Sequence, residues 1–423
     1  MQESTPPSLA SSLGESPVWA TLEAYARAQI QQFVQRLLEE EVDALLRRGK
    51  SERRGPDTPV GYRNGHGKPR QLALTSGTIT VRRPRVRDLD ERFVSRVLPL
   101  FQRRTREVGA LLPELYLHGL ATGDFELALR GLLGDGAPLS ASSIQRLKAD
   151  WQHEYDTWRR RDLAALSVAY VWADGLYVKA GLESSKAALL VLIGALADGR
   201  KVVLAVESGQ RESTEGWAAV LRALKARGLR APKLTVADGH LGIWGALAQV
   251  WPESGEQRCW NHRMRNLLDA VPEKAQPEVK AHLQRVVNAE SRAAAERERR
   301  AFRLAFQQRF PKAVERLEAD WERMIAYYAF PKEHWRHLRT TNVVESPFDA
   351  VRLRTSAAKR FKKVENATAL IWKLLLVVEQ HFRKLNAPHL CAEVYAGVAY
   401  QDGQRVVTTR PAPSPEPPAE VAA

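Results

Sequence analysis

The chain has 423 residues, a formal charge of +15 and a pI near 9.9. With 44% hydrophobic and 27% charged residues it reads as a folded basic protein of two or three domains, which excludes a disordered chain. The longest apolar run, Ala187 to Ala197, is too short to span a bilayer, so the basic excess points to nucleic acid rather than membrane. The polar start MQESTPPSLA has no basic-then-apolar signal pattern, and a cytoplasmic, nucleoid-associated protein is expected. Two distant cysteines, Cys259 and Cys391, make neither a disulfide framework nor a four-thiolate zinc site.

Residues 1–18, rich in Ser, Pro and Glu, read as a flexible lead-in. Apolar residues from Leu22 to Leu46 recur at three- and four-residue steps, which predicts a helix over Val18 to Arg48, either packed or pairing two copies; residues 19–50 form this segment. Residues 51–107 are rich in Gly, Pro and Arg. Between Arg63 and Glu107 twelve Lys or Arg face four acids, a local excess suited to gripping phosphates. Gln71 to Thr75, Ser76-Gly77 and Thr78 to Val81 read as a hairpin, followed by the basic stretch carrying Arg82, Arg83, Arg85 and Arg87.

Over 108–160 three helices are expected: Val108 to His118, Phe125 to Leu133, and Ser140 to Trp151 with Ser140 as its cap. This is either a helix-turn-helix-like DNA-binding region or a plain helical hairpin. In the former, Ser142, Ser143, Gln145, Arg146 and Lys148 reach toward DNA.

From Ser167 the pattern turns to strands. Ser167 to Ala173, Leu176 to Ala180, Ala187 to Ala197 and Lys201 to Glu207 predict an antiparallel meander. A helix Ser213 to Arg227 follows, with Thr214 as its cap. Then come a strand Lys233 to Ala237, a helix Leu241 to Val250 and a short strand Gln257 to Trp260. The order predicts an α/β fold with a ribonuclease H-like mixed sheet over 161–262 and 338–400. An all-α insertion is expected at 263–337, with helices Pro277 to Val287, Ser291 to Phe310 and Pro311 to Phe330. The last acid-bearing helix starts near Asn342. A basic stretch, Ala350 to Val364, follows with Arg352, Arg354, Lys359 and Arg360. Ala367 to Leu385 is an apolar core helix, and 401–423 read as a disordered tail.

Two apolar runs end in Asp-Gly, at Asp174-Gly175 and Asp238-Gly239. Asp-Gly is also the commonest hairpin turn, because both residues tolerate positive φ. A carboxylate set that includes Glu345 would hold magnesium, a hard oxygen-seeking ion used as a pair in phosphodiester chemistry. Glu345 has its own plain role, reaching back to cap Asn342. Asp349, one turn on, is a rival third ligand.

Several motifs together resemble the bacterial Mutator-type transposases, insertion-sequence enzymes of the DDE class. Asp174-Gly175-Leu176-Tyr177-Val178-Lys179 is similar to their first-acid strand, and Val236-Ala237-Asp238-Gly239-His240 to the second. Gln257 to His262, ending Cys259-Trp260-Asn261-His262, matches their signature. Thr340-Thr341-Asn342-Val343-Val344-Glu345-Ser346 is similar to the third-acid helix, and Tyr62-Arg63-Asn64-Gly65 fits upstream.

The resemblance implies a DNA transposase that binds the terminal inverted repeats of its element, cleaves strands and joins them to a target. Asp174, Asp238 and Glu345 would be the catalytic and metal-holding residues, with two Mg2+ ions, or Mn2+ as substitute, and no other cofactor. Double-stranded DNA and a homodimer or higher assembly are the implied partners. Cys259 and His262 read as buried structural residues, or residues at the catalytic edge, rather than zinc ligands. His240 either contacts DNA or begins the next helix. Trp321 and Trp335 read as core, with base stacking as the alternative. A ribonuclease H-like nuclease cutting branched DNA and an inactive, transposase-derived DNA-binding protein are the other readings.

Overall fold

The computed structural model describes residues 18–56, 58–89, 91, 93–98, 105, 108, 115, 141–180, 186–209, 213–239, 242–358, 361 and 363–406. The chain divides into two compact units, Met1–Ala149 and Asp150–Ala423.

In the first unit, helix α1 (Val18–Leu46) packs on a hairpin of β2 (Arg70–Leu74) and β3 (Gly77–Val81). Leu38, Leu72, Ile79, Val81 and Leu98 form the shared core. The Gln35 side chain bonds both the N–H and the carbonyl of Arg82, and Gln31 accepts from the Thr80 N–H, so helix amides satisfy an open strand edge. A second ladder pairs β1 (Tyr62–His66) with β4 (Pro84–Arg87). The basic stretch Arg82 to Arg87, expected after the hairpin, is a strand from Pro84 onward. Of the expected DNA-binding helices, Val108 to His118 and Phe125 to Leu133 lie outside the described residues apart from isolated positions. The third, α2 (Ala141–Trp158), runs beyond Trp151. Its residues from Asp150 on belong to the second unit, where Trp151 and Tyr155 are buried and the Tyr155 hydroxyl donates to the Val206 carbonyl at 2.7 Å. That end of the helix is core, not a free reading surface.

The second unit is built on a five-stranded sheet. Strands β5 (Val168–Lys179), β6 (Lys186–Leu196) and β7 (Lys201–Gly209) run antiparallel in sequence. β8 (Leu234–Ala237) adds in parallel to β5, and β9 (Gly255–Arg258) in parallel to β8, giving the order β7-β6-β5-β8-β9. The expected break at Asp174-Gly175 is absent. β5 is one strand of 12 residues, with Asp174 opposite Val191 and Gly175 opposite Leu190. Continuous pairing with the long β6 satisfies the backbone through this Asp-Gly, so no turn is needed. The second Asp-Gly does turn: Gly239 has φ +75°, and a Cβ there would lie 2.5 Å from the Trp244 indole nitrogen.

One face of the sheet is covered by α3 (Thr214–Ala226) and α4 (Ile243–Val250). α3 buries Trp217, Ala218, Leu221 and Leu224, one stripe of its surface, and full burial of each large side chain contributes about 1.5–3 kcal/mol. Its cap is Ser213, whose hydroxyl accepts from the Gly216 N–H at 3.1 Å, rather than Thr214. Val171, Ala173 and Ala237 point into this core, so Trp172 and Asp174 face the other way. That opposite face carries α11 (Asn342–Ala358), α12 (Val364–Glu379) and α13 (Leu390–Ala396). α11 runs on to Ala358, into the stretch from Ala350 that was read as following it.

Between the two sets lie α5 (Trp260–Leu268), α6 (Gln276–Val287), α7 (Arg292–Phe306), α8 (Pro311–Glu318), α9 (Trp321–Ile325) and α10 (Trp335–Leu338). The expected single helix Pro311 to Phe330 is broken after Glu318. At the break, Asp320 pairs with the buried guanidinium groups of Arg258 and Arg263. Residues 401–405, expected to be disordered, join Tyr400 in a hairpin of β10 (Tyr400–Gln401) and β11 (Gln404–Arg405). It is held by Asp402, which accepts from the Arg292 N–H at 2.6 Å. Among the described residues no helix is long and apolar enough to cross a membrane.

Candidate active site

Parallel register sets the first two acids. Ala173 of β5 pairs with Ala237 of β8, so Asp174 and Asp238 are the next residues on neighbouring strands, about 4.8 Å apart in a regular sheet. Asp174 is half-buried and its Oδ1 accepts from the Gly175 N–H at 2.8 Å. Asp238 follows the last residue of β8, half-buried, and its Oδ1 is a buried atom without a hydrogen-bond partner.

Glu345 arrives from the opposite direction, in the first turn of α11, which packs across β5 and β6. Its backbone N–H bonds the Thr341 carbonyl at 3.0 Å, and its Oε1 accepts from the Thr341 hydroxyl. The expected cap on Asn342 is replaced: the Asn342 N–H is 3.5 Å from the Thr340 hydroxyl, and Glu345 is turned to Thr341. Asp349 is largely exposed and paired with Arg352 at 2.9 Å, so it stands apart from this cluster.

Between the acids stands His262 of α5. Its Nδ1 is 3.9 Å from Asp238 Oδ1, 3.7 Å from Glu345 Oε1 and 3.4 Å from the Thr341 hydroxyl. Hydrogen bonding with Cys259 and the charges of Cys259, Asp238 and Glu345 push the imidazole up to about 9, against the opposing effect of burial. Cys259 is fully buried, and its Sγ accepts from the Thr341 N–H at 3.3 Å and lies 3.2 Å from the Thr341 hydroxyl. The two segments are tied further by Trp260 N–H to the Arg339 carbonyl, 2.8 Å, and Asn261 to Asn342, 3.0 Å. Thr341, buried at the centre of these contacts, was not singled out by sequence reasoning. Its only sequence signal is its place four residues before Glu345 on a helix start.

The expected DNA-contacting residues scatter. Arg82, Arg85 and Arg87 are exposed and Arg83 is half-buried, while Arg87 lies 3.7 Å from Asp88. Arg63 is turned inward to Glu39 and Asp43 of α1. Gln145 and Arg146 belong to α2, with side chains outside the description, and Lys148 is exposed. Arg352 is exposed and ion-paired; Arg354 lies in α11 with its side chain outside the description. His240, Lys359 and Arg360 are outside the described residues. Trp321 and Trp335 are buried and bonded, the first to Glu296 at 3.0 Å and the second to the Phe330 carbonyl at 2.9 Å, so both are core.

Two aspartates at adjacent positions of neighbouring strands, a glutamate on a helix packed across the sheet and a Cys-x-x-His corner between them make up this carboxylate cluster. The profile of the Mutator family of transposases matches residues 12–384. The transposase for insertion sequence element IS6120 of Mycolicibacterium smegmatis is 44% identical over 294 residues, covering 70% of this chain and 91% of the relative. The transposase for IST2 of Acidithiobacillus ferrooxidans is 41% identical over 278 residues, covering 65% and 94%. That for ISRM5 of Rhizobium meliloti is 30% identical over 365 residues, covering 85% and 89%. The chain belongs to the Mutator family of transposases.

Proposed function

We propose that the chain is a DDE-class transposase that binds the terminal inverted repeats of an insertion sequence, cuts a strand at each end and transfers the freed 3′-hydroxyl to target DNA. The carrying observation is the convergence of Asp238 and Glu345 on His262, with Asp174 beside Asp238 in register. The sheet is read as ribonuclease H-like. This is supported by its order, with three antiparallel strands followed by two parallel ones on the other side of β5. Residues 263–337 are read as an insertion into that domain, and the first unit with α2 as the end-recognising part.

Two magnesium ions, with manganese as substitute, fit the residues. The donors are hard carboxylate oxygens, and the partnerless buried Oδ1 of Asp238 is the kind of atom a cation satisfies. Asp174, Asp238 and Glu345 would hold them. When bound, such ions stabilise charge on the attacking and leaving oxygens of an in-line displacement. The chain's own part is positional. Pairing opposite Val191 of β6 fixes Asp174 within β5, and Thr341 orients the Glu345 carboxylate. The exposed Arg82, Arg85, Arg87 and Arg352 offer charge to DNA phosphates. Higher-order assembly on paired ends and action in the cytoplasm belong to the same reading.

The test is an end-containing duplex incubated with the protein over a magnesium series, with nicked and joined products resolved separately. Metal-dependent nicking with joined products is expected. Nicking without joining would make the protein a nuclease, and no nicking at any concentration would make it a binding protein only.

A further inference from the structure

Cys259 and His262 look like half of a zinc site in the sequence, and the fold supplies the other half. The Cys259 thiol, a His262 ring nitrogen and a Glu345 carboxylate oxygen lie within 4.8 Å of one another. Asp238 Oδ1, 3.9 Å from His262 Nδ1 and lacking a hydrogen-bond donor, stands outside that group and closes on it as a fourth ligand when the metal binds. Zinc bonds of about 2.0–2.3 Å set tetrahedral ligands roughly 3.3–3.8 Å apart. The observed 3.7 Å and 3.9 Å contacts of His262 are close to that spacing before any metal is bound.

The donor set is also soft where magnesium is hard. A thiolate and an imidazole favour zinc over magnesium, which prefers oxygen and water. The thiol is prepared for this role. The Thr341 N–H points at Sγ, and the Thr341 hydroxyl, with one proton to give, serves either Sγ or Glu345. Such outer contacts orient a metal's ligands.

We propose that Cys259, His262, Glu345 and Asp238 form a zinc-binding site that competes with the catalytic ions, because it takes up two of their carboxylates. Zinc binding releases two protons to solvent, one from the Cys259 thiol and one from the His262 imidazolium. The inhibitory consequence rests on the catalytic reading of Glu345 and Asp238, but binding itself does not, since Asp174 is outside the set. Zinc therefore switches the site off through the residues that make it work.

The test uses the full-length protein titrated with Co2+ in the absence of magnesium. A tetrahedral cobalt spectrum with a thiolate-to-cobalt charge-transfer band is expected, abolished stoichiometrically by Zn2+. The band should be lost in Cys259→Ser and kept in Cys391→Ser and in Asp174→Asn. In wild type, cleavage in magnesium should fall in proportion to the zinc occupancy read from cobalt displacement. A weak octahedral spectrum in wild type overturns the proposal without reference to any variant. So does a band that survives Cys259→Ser or disappears in Cys391→Ser, or zinc saturation that leaves cleavage unchanged. A wild-type protein that gives the cobalt band yet never cleaves would leave zinc binding intact and sink the catalytic reading instead.

Discussion

Thr341 shows how one buried hydroxyl can govern a site it never enters. It touches Cys259, His262 and Glu345, three residues drawn from segments about eighty positions apart in the chain. Thr341→Val keeps the shape and removes the hydroxyl. Losing such an orienting contact costs about 10–100-fold in metal affinity or activity, so strand cleavage should fall in that range and the magnesium midpoint should rise. Thr341→Ser should restore both, and full activity in the valine variant would remove Thr341 from the account. His334 carries a second residue-scale expectation. It is fully buried; its Nε2 faces the Ala387 carbonyl at 3.3 Å and so carries the proton, leaving Nδ1 to accept from the Tyr170 hydroxyl at 2.8 Å. Burial lowers the imidazole below its usual 6.5, and His337 is lowered in the same way. A depressed histidine adds stability above the unfolded value and loses it as pH falls, because only the unfolded chain then takes up the proton. Urea midpoints should drop between about pH 7.5 and 5.5, and His334→Gln should flatten that slope.

At the scale of elements, the helix that carries His262 is anchored by one acid. Asp320 pairs with Arg258 at the end of β9 and Arg263 of α5, both nearly buried, and Arg323 lies 3.4 Å away. Burial brings the Arg263 guanidinium down to about 10. Asp320→Ala strands two buried cations and should cost about 3–5 kcal/mol, read as a lower urea midpoint, with His262 displaced and cleavage reduced. An unchanged midpoint would contradict that anchoring role. The ion pair explains why an even helical pattern over Pro311 to Phe330 misled: periodicity reports the apolar stripe, and the pull of partners some sixty residues upstream leaves no local mark. Asp174-Gly175 misled for a related reason. Local turn chemistry favours a break there, and pairing to the long strand β6 overrides it. The strands themselves, the helix Ser213 to Arg227 and the buried helix α12 were legible because their apolar spacing matches their period. The partnering of β1 with β4 was not, since neither strand alternates cleanly.

For the whole molecule, the charge of +15 makes a quantitative statement about DNA. Binding that displaces counterions from many phosphates weakens linearly on a log–log salt plot, and six to ten contacts lose about 10³–10⁵ in affinity between 50 and 200 mM salt. End binding by this chain should show such a slope, reduced by roughly one for each exposed arginine removed among Arg82, Arg85 and Arg87. A flat response would take the first unit out of DNA recognition. The candidate site was legible in the sequence because its acids fall in ordered motifs. What the motifs could not convey was which neighbours those acids share, since His262, Thr341 and Cys259 meet them only through the fold.

The most direct measurement is end binding and strand transfer by Asp174→Asn on the same duplex in magnesium. The substitution keeps the side chain's size and removes its charge at the centre of the sheet. Binding should equal that of the wild type while cleavage and joining disappear. Strand transfer by the variant at the wild-type rate would contradict the carboxylate site.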